Sequence, residues 1–178
     1  MANAIWLAEV LEAAGCKTVE LAGWQTRGRA EMGVVKGVLC HHTAGSKTGN
    51  APSLKLIVGG RPDLPGPLSH LHLARDGTFT VIAAGRCNHA GPGSWRGVTT
   101  GNSNFIGIEA ENAGDGTDPW PDVQMEAYAR GVAAILRHIG APAGMCAGHK
   151  EYALPPGRKI DPSFNMTAFR EKVAAFMA

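Results

Sequence analysis

The stretch VVKGVLCHHTAG, residues 34–45, decides how the chain is read. Its first seven residues, VVKGVLC, are mostly apolar and β-branched, the composition of a strand buried inside a sheet. His41 and His42 follow at once, and then the small residues Thr43, Ala44 and Gly45. A buried strand that ends this way delivers two imidazoles to the place where a sheet edge opens into a loop.

Downstream, residues 44–68 are rich in Gly, Pro and Ser, with a short helix expected around residues 53–58 and a loop at GGRPDLPGPL, residues 59–68. HLHLARDGTFTVIA, residues 70–83, predicts a hairpin, because two alternating runs flank the turn pair Asp76-Gly77. A glycine-rich loop over 84–104 leads to FIGIEAEN, residues 105–112, a second inner strand. Residues 121–139 predict a long helix with Val132, Ile135, Leu136 and Ile139 on one face and Gly140 as its stop. The block MCAGHKEYALPPGRKIDPSF, residues 145–164, is irregular and polar. A last helix starts near Asn165, a good N-cap, and buries Phe169, Val173 and Phe176. Upstream, residues 5–14 predict a short amphipathic helix on Leu7, Val10, Leu11 and Ala14, followed by the linker AGWQTRGRAEMG. Strands interleaved with helices give an α/β class: a central mixed β-sheet flanked by helices. The expected organisation is one catalytic domain over 1–178, with an N-terminal helix and linker over 1–33 and a core over 34–178.

Composition narrows the function classes. The chain has 178 residues, 44% of them hydrophobic and 18% charged, which fits one folded domain and not a disordered segment. A net charge of +2 favours encounter with an anionic polymer, but no nucleic-acid-binding signature accompanies it. No apolar run approaches the roughly 20 residues of a membrane helix. The start, MANAIWLAEVLEAAG, lacks a basic leader and carries Glu9 and Glu12, so no secretion signal is expected. The four cysteines are widely spaced and form no CxxC pair. They read as buried thiols of a reducing compartment, with a disulfide left open.

The chemistry-bearing candidates are among seven histidines and a few acids. A lone histidine is more often a satisfied core or surface residue than a ligand. A catalytic zinc site needs three protein ligands and one open position. His41, His149 after Gly148, and Asp161 at the close of the irregular block meet that need, although spacing alone leaves the plainer reading standing. There is no HExxH, so a thermolysin-type protease is not indicated. Glu109 and Glu111 fall two apart on one strand face, with Ile106 and Ile108 on the other. A carboxylate there suits a general base; the plainer reading has both facing solvent, and it is kept for Glu111. Lys159 and Asp161 share the turn GRKIDP, which Pro155, Pro156 and Pro162 stiffen.

The segments VLCHHTAG, HLHLARDGTF, NHAG, NSNFIGIEAEN and GHKEYALPPGRKIDPSF occur in this order, and together they resemble the N-acetylmuramoyl-L-alanine amidases of the amidase-2 family. That family includes phage endolysins, bacterial amidases and animal peptidoglycan recognition proteins. The likeness spans roughly residues 34–176. The N-terminal forty residues and the HKEYALPPGRKIDPSFNM block look most like endolysins of phages that infect actinobacteria. The resemblance implies a zinc ion at the sheet's edge, held by His41, His149 and Asp161, with Glu109 as base and Lys159 as oxyanion stabiliser. It places His89 in the substrate groove, with His42 and Thr43 beside it; His42 matches a variable position and is read as supporting the site. Ser69 stands where some phage relatives carry a catalytic Tyr. The segment between His149 and Asp161 looks longer than in several relatives, so its register rests on RKIDP. The remaining histidines read plainly: His138 capping a helix end, His70 and His72 sharing a strand face, with His72 flanking the groove. The acidic run ENAGDGTD, residues 111–118, lacks a calcium-loop pattern and is read as a loop.

The implied activity is zinc-dependent hydrolysis of the amide between N-acetylmuramic acid and L-alanine. The implied setting is a monomeric phage endolysin, made in a host cytoplasm without a signal peptide and reaching the wall once another protein has permeabilised the membrane. Its partner is then peptidoglycan, with no nucleic acid and no membrane insertion. Three alternatives stand beside it: a non-catalytic peptidoglycan-binding module, a zinc peptidase acting on cross-links, and a cytoplasmic amidase that recycles soluble muropeptides.

Overall fold

A computed structural model describes residues 3–178. The elements run α1 (Leu7–Ala13), β1 (Thr18–Glu20), β2 (Gly37–His42), α2 (Leu54–Gly59), β3 (Gly60–Arg61), β4 (Leu64–Pro65), β5 (Leu71–Leu73), β6 (Phe79–Val81), α3 (Gly101–Asn104), β7 (Phe105–Ala110), α4 (Asp122–His138), β8 (Cys146–Gly148), α5 (His149–Tyr152) and α6 (Met166–Met177). Six strands form one sheet in the order β1-β6-β5-β7-β2-β8. Only the β5–β6 hairpin is antiparallel; every other neighbouring pair is parallel, so the sheet is mixed.

Alternation along the central strands sorts two faces. Val38 and Cys40 of β2, with Ile106, Ile108 and Ala110 of β7, join the main core under α1, α4 and α6. Leu39 and Phe105 point the other way, into a smaller cluster with Ala90, Ala147 and Tyr152. His41 and Glu109 share that second face and stand directly opposite each other in the ladder. Helix α4 anchors the first face through Tyr128, Val132, Ile135 and Leu136, all fully buried. Each such side chain contributes about 1.5–3 kcal/mol through the water it sheds. The helix stops at Gly140, whose φ of 67° suits glycine. At the start of α6, the Asn165 side chain accepts a hydrogen bond from the Ala168 N–H at 3.0 Å, the expected N-cap.

The expected class, helices, hairpin and inner strands are present, with differences that have simple causes. Strands β1 and β8 were not expected; each has three residues, too few to show a two-residue period. The block 145–164 is therefore not wholly irregular, because β8 and α5 open it and bring His149 to the sheet. Residues 59–68 hold the small hairpin β3–β4. Glu111 does not face solvent. It is fully buried beyond the end of β7, where Ser53, Thr43 and His72 satisfy its carboxylate. His72 is likewise fully buried on Glu111 and does not flank a groove. His138 stacks its ring on Trp6 at 4.3 Å. All four cysteines are buried and free, with the Cys40 and Cys146 sulfurs 3.6 Å apart on neighbouring strands. Among the described residues no helix is long and apolar enough to cross a membrane.

Candidate metal centre and active site

A groove of about 490 Å³ opens over the carboxyl ends of β2 and β7, and His41, Glu109, His149, Lys159 and Asp161 all line it. His41 is delivered by the carboxyl end of β2. His149 comes from the first residue of α5, directly after β8. Asp161 comes from the turn beyond α5, and its carbonyl accepts from the Lys150 N–H at 2.7 Å, which ties that turn to the helix. The sequence-separated trio thus meets at one point: His41 Nδ1 lies 3.0 Å from His149 Nδ1 and 3.0 Å from Asp161 Oδ2, and His149 Nδ1 lies 3.1 Å from the same oxygen.

The donor chemistry of this trio suits a cation. His149 Nε2 is 2.8 Å from the Ala90 carbonyl oxygen, which only accepts, so the ring carries its proton there and turns a lone pair on Nδ1 toward Asp161. Burial, with His149 adding to it, pushes His41 down to about 4, so its ring is neutral near pH 7. Burial opposes ionisation of Asp161, but the His149 and His41 rings beside it outweigh this and hold the carboxyl far below its ordinary range. Three electron-pair donors therefore converge within about a van der Waals contact. A proton can bridge two of them, whereas a metal ion satisfies all three. Two imidazoles and one carboxylate form the donor set of many catalytic zinc sites.

Beside the trio, Glu109 Oε1 lies 3.9 Å from His41 Nδ1. Its Oε2 is buried with no hydrogen-bond partner among the described residues. Burial, reinforced by the Asp161 charge and opposed by Lys159, raises the Glu109 pKa well above the usual carboxylate range. A carboxyl group so placed keeps its proton more readily than an exposed one. Lys159 is exposed on the groove wall, and its charge acts on both His41 and Glu109.

The other expected site residues have polar atoms already engaged. His42 Nδ1 accepts from the Ser163 N–H at 3.1 Å, which props the turn after Asp161. Thr43 Oγ1 donates to Glu111 at 3.0 Å. Both still line the groove, as does His89, whose Nδ1 lies 3.1 Å from His41 Nε2. Ser69 is buried and donates to the Gly107 carbonyl at 2.7 Å, so it takes no place in the groove.

Sequence reasoning missed three supports. The Tyr128 hydroxyl accepts from the His41 N–H at 3.0 Å and reaches the Ile108 carbonyl at 3.0 Å, bridging β2 and β7 where the site begins. A tyrosine on the apolar face of a helix was a usable signal, since a buried hydroxyl needs a partner. Arg158 donates to the Ala90, Pro92 and Leu154 carbonyls, stapling the turn that carries Lys159 and Asp161 to the loop before α3. Arg170 grips Glu151 with two bonds of 2.8 and 2.9 Å and so fixes α5, which starts with His149, against α6. Nothing in a single sequence marks these two arginines, because their partners are carbonyls or lie far along the chain.

The chain is similar to known proteins in family profile and in fold. The profile of the Amidase_2 family, described as N-acetylmuramoyl-L-alanine amidase, matches residues 31–164. The fold is similar to a crystal structure of an AmpD selenomethionine derivative, at 24% identity and a TM-score of 0.67 over 97% of this chain and 98% of that one. It is also similar to AmiD from E. coli in complex with anhydro-N-acetylmuramic acid-L-Ala-D-gamma-Glu-L-Lys, at 23% identity and 0.63, over 86% of this chain and 65% of that one. A third likeness is to the amidase LysC from Clostridium intestinale, at 16% identity and 0.66, over 88% and 97%. At these identities the structures show a shared fold. No curated protein sequence matches the chain significantly.

Proposed function

Because the chain belongs to the N-acetylmuramoyl-L-alanine amidase family, its profile matching residues 31–164, we propose that it is a zinc-dependent enzyme of this class in which His41, His149 and Asp161 hold the metal. The convergence of these three donors beside the unpartnered oxygen of Glu109 is the observation that carries the reading. When bound, zinc supplies a Lewis acid that acidifies water and polarises the scissile carbonyl.

The chain's own residues supply the rest. Glu109 takes a proton from the attacking water at its carboxylate and passes it to the departing L-alanine amine, a double task that suits its raised pKa. Lys159 stands on the groove wall to stabilise negative charge gathering on the carbonyl oxygen. His42 and Thr43 shape the groove beside the metal ligands, and His89 forms part of its floor.

The setting we favour is a phage endolysin that reaches peptidoglycan after the membrane has been opened and lyses the host. The endolysin-like sequence blocks support it. A soluble muropeptide is the second reading, favoured by the ligand in the AmiD complex, a small anhydromuramoyl peptide. Incubation with purified peptidoglycan and, separately, with soluble muropeptides, followed by mass analysis with and without chelator, separates these outcomes. Free muramoyl and L-alanine ends from intact wall, lost on chelation and restored by zinc, are expected. Cleavage within the stem peptide, or binding with no cleavage, would overturn the assignment.

A further inference from the structure

Each histidine of the cradle has a second ring nitrogen, and what that nitrogen meets decides whether Nδ1 is free to bind metal. His149 Nε2 meets the Ala90 carbonyl at 2.8 Å. His41 Nε2 meets His89 Nδ1 at 3.1 Å, with the two rings edge to face at 85°. The two partners are consecutive residues. One short segment therefore touches the far side of both imidazoles.

That segment is itself held from behind. The Asn102 Oδ1 accepts from the His89 N–H at 2.9 Å and from the Ala90 N–H at 2.7 Å. A side-chain amide can do this only with its oxygen turned inward. The His89 ring lies over Gly107 of β7, where an added Cβ would sit 2.7 Å from ring atoms, so glycine there is what admits the ring. Arg158 also reaches the Ala90 carbonyl, at 3.3 Å. Asn102 is not among the residues that line the groove, and its side-chain oxygen is taken up by the His89 and Ala90 N–H groups.

For His41 to offer Nδ1 to a cation, its proton must sit on Nε2, and that N–H needs an acceptor. His89 supplies one only as the tautomer protonated on Nε2, a buried nitrogen with no partner among the described residues, with its Nδ1 lone pair toward His41. We propose that the His89–Ala90 dipeptide, pinned by Asn102, fixes the tautomer and orientation of both histidine ligands and so sets the metal affinity of the site. His89 is then a positioning residue for His41 besides lining the groove, and Asn102 is a positioning residue one step further out. The inference rests on the zinc reading above. It extends a general property of metal-bound histidines, whose outer partners tune affinity, to His89, Ala90 and Asn102.

The test is zinc affinity, measured by competition with a chromophoric chelator on the intact chain, with the visible spectrum of the cobalt-substituted protein as a second readout. His89→Leu removes the acceptor, and Asn102→Ala frees the dipeptide. Each is expected to weaken zinc binding about 10- to 100-fold and to alter the cobalt bands. His89→Asn, which keeps an acceptor near the Nδ1 position, and Asn102→Asp, which keeps the oxygen, should restore affinity. Melting of the metal-free proteins separates loss of fold from loss of affinity, and if His89→Leu does not fold, the Asn102 pair decides. If the wild type binds zinc one to one while His89→Leu and Asn102→Ala bind it equally well, the inference falls and the metal reading stands. A raised KM at unchanged zinc affinity would likewise reduce His89 to a groove residue. If the wild type itself binds no zinc, it is the metal reading that falls.

Discussion

Glu109 stands one strand across from His41, in register with it, and carries a buried oxygen with no partner. An unpaired buried acceptor costs stability, so it persists where something else needs it. Replacing it by an isosteric amide keeps the shape and removes the base. Glu109→Gln should retain stoichiometric metal and lose roughly 10²–10⁴ in kcat, the range of a lost general acid–base group. Single-turnover hydrolysis alongside metal analysis checks it, and a variant within a few-fold of wild type would take the proton-transfer role away from Glu109. The three residues that converge were legible because each sits in a short motif, CHH, GH and RKID, whose residue types suit zinc. Glu111 was misread because alternation placed it beside Glu109, while its actual partners, Ser53 and His72, lie 58 and 39 residues away.

Elements are joined at this site by few but buried polar contacts. Glu111 is the main one: its carboxylate holds Ser53 at the start of α2, Thr43 at the end of β2 and His72 on β5. Removing it leaves these groups buried and unpaired. Glu111→Ala should therefore destabilise the fold by about 1–3 kcal/mol for each buried donor left unsatisfied. Urea unfolding measures this, and a loss under about 1 kcal/mol would show that the cluster is dispensable. Long periodic segments, α4 and α6, were readable, and so was the hairpin around Asp76-Gly77. The three-residue strands β1 and β8 were not, since they owe their extended shape to neighbours in the ladder and not to their own pattern.

Taken whole, the molecule should respond to acid and to metal in separable ways. The hydrogen bonds from Arg75 to Asp118 hold that carboxyl below its ordinary value of 3.8, although burial opposes this. A depressed folded-state pKa stabilises the native form fully above the unfolded value and is lost as pH falls through the folded one. Stability should thus decline below about pH 4, and Asp118→Asn should flatten that acid limb in thermal melts between pH 6 and 3. An unchanged slope would remove Asp118 from the account. Zinc at a thousandfold excess over its dissociation constant should add about 4 kcal/mol, or about 8–16 °C in melting temperature for a chain of this size. Calorimetry with and without chelator reads it, and a metal-independent midpoint would contradict a native zinc site.

Strand β2 turns Val38 and Cys40 into the main core and Leu39 and His41 to the opposite face. Spelling along this strand is therefore less critical than its count. Apolar exchanges at Val38 or Leu39 alter packing by small amounts, whereas gain or loss of a single residue between Gly37 and Cys40 would reverse the phase of everything after it and send His41 toward α4. Natural variation and laboratory libraries should accordingly accept insertions in the surface turns and reject them here, with length as the invariant that this strand transmits.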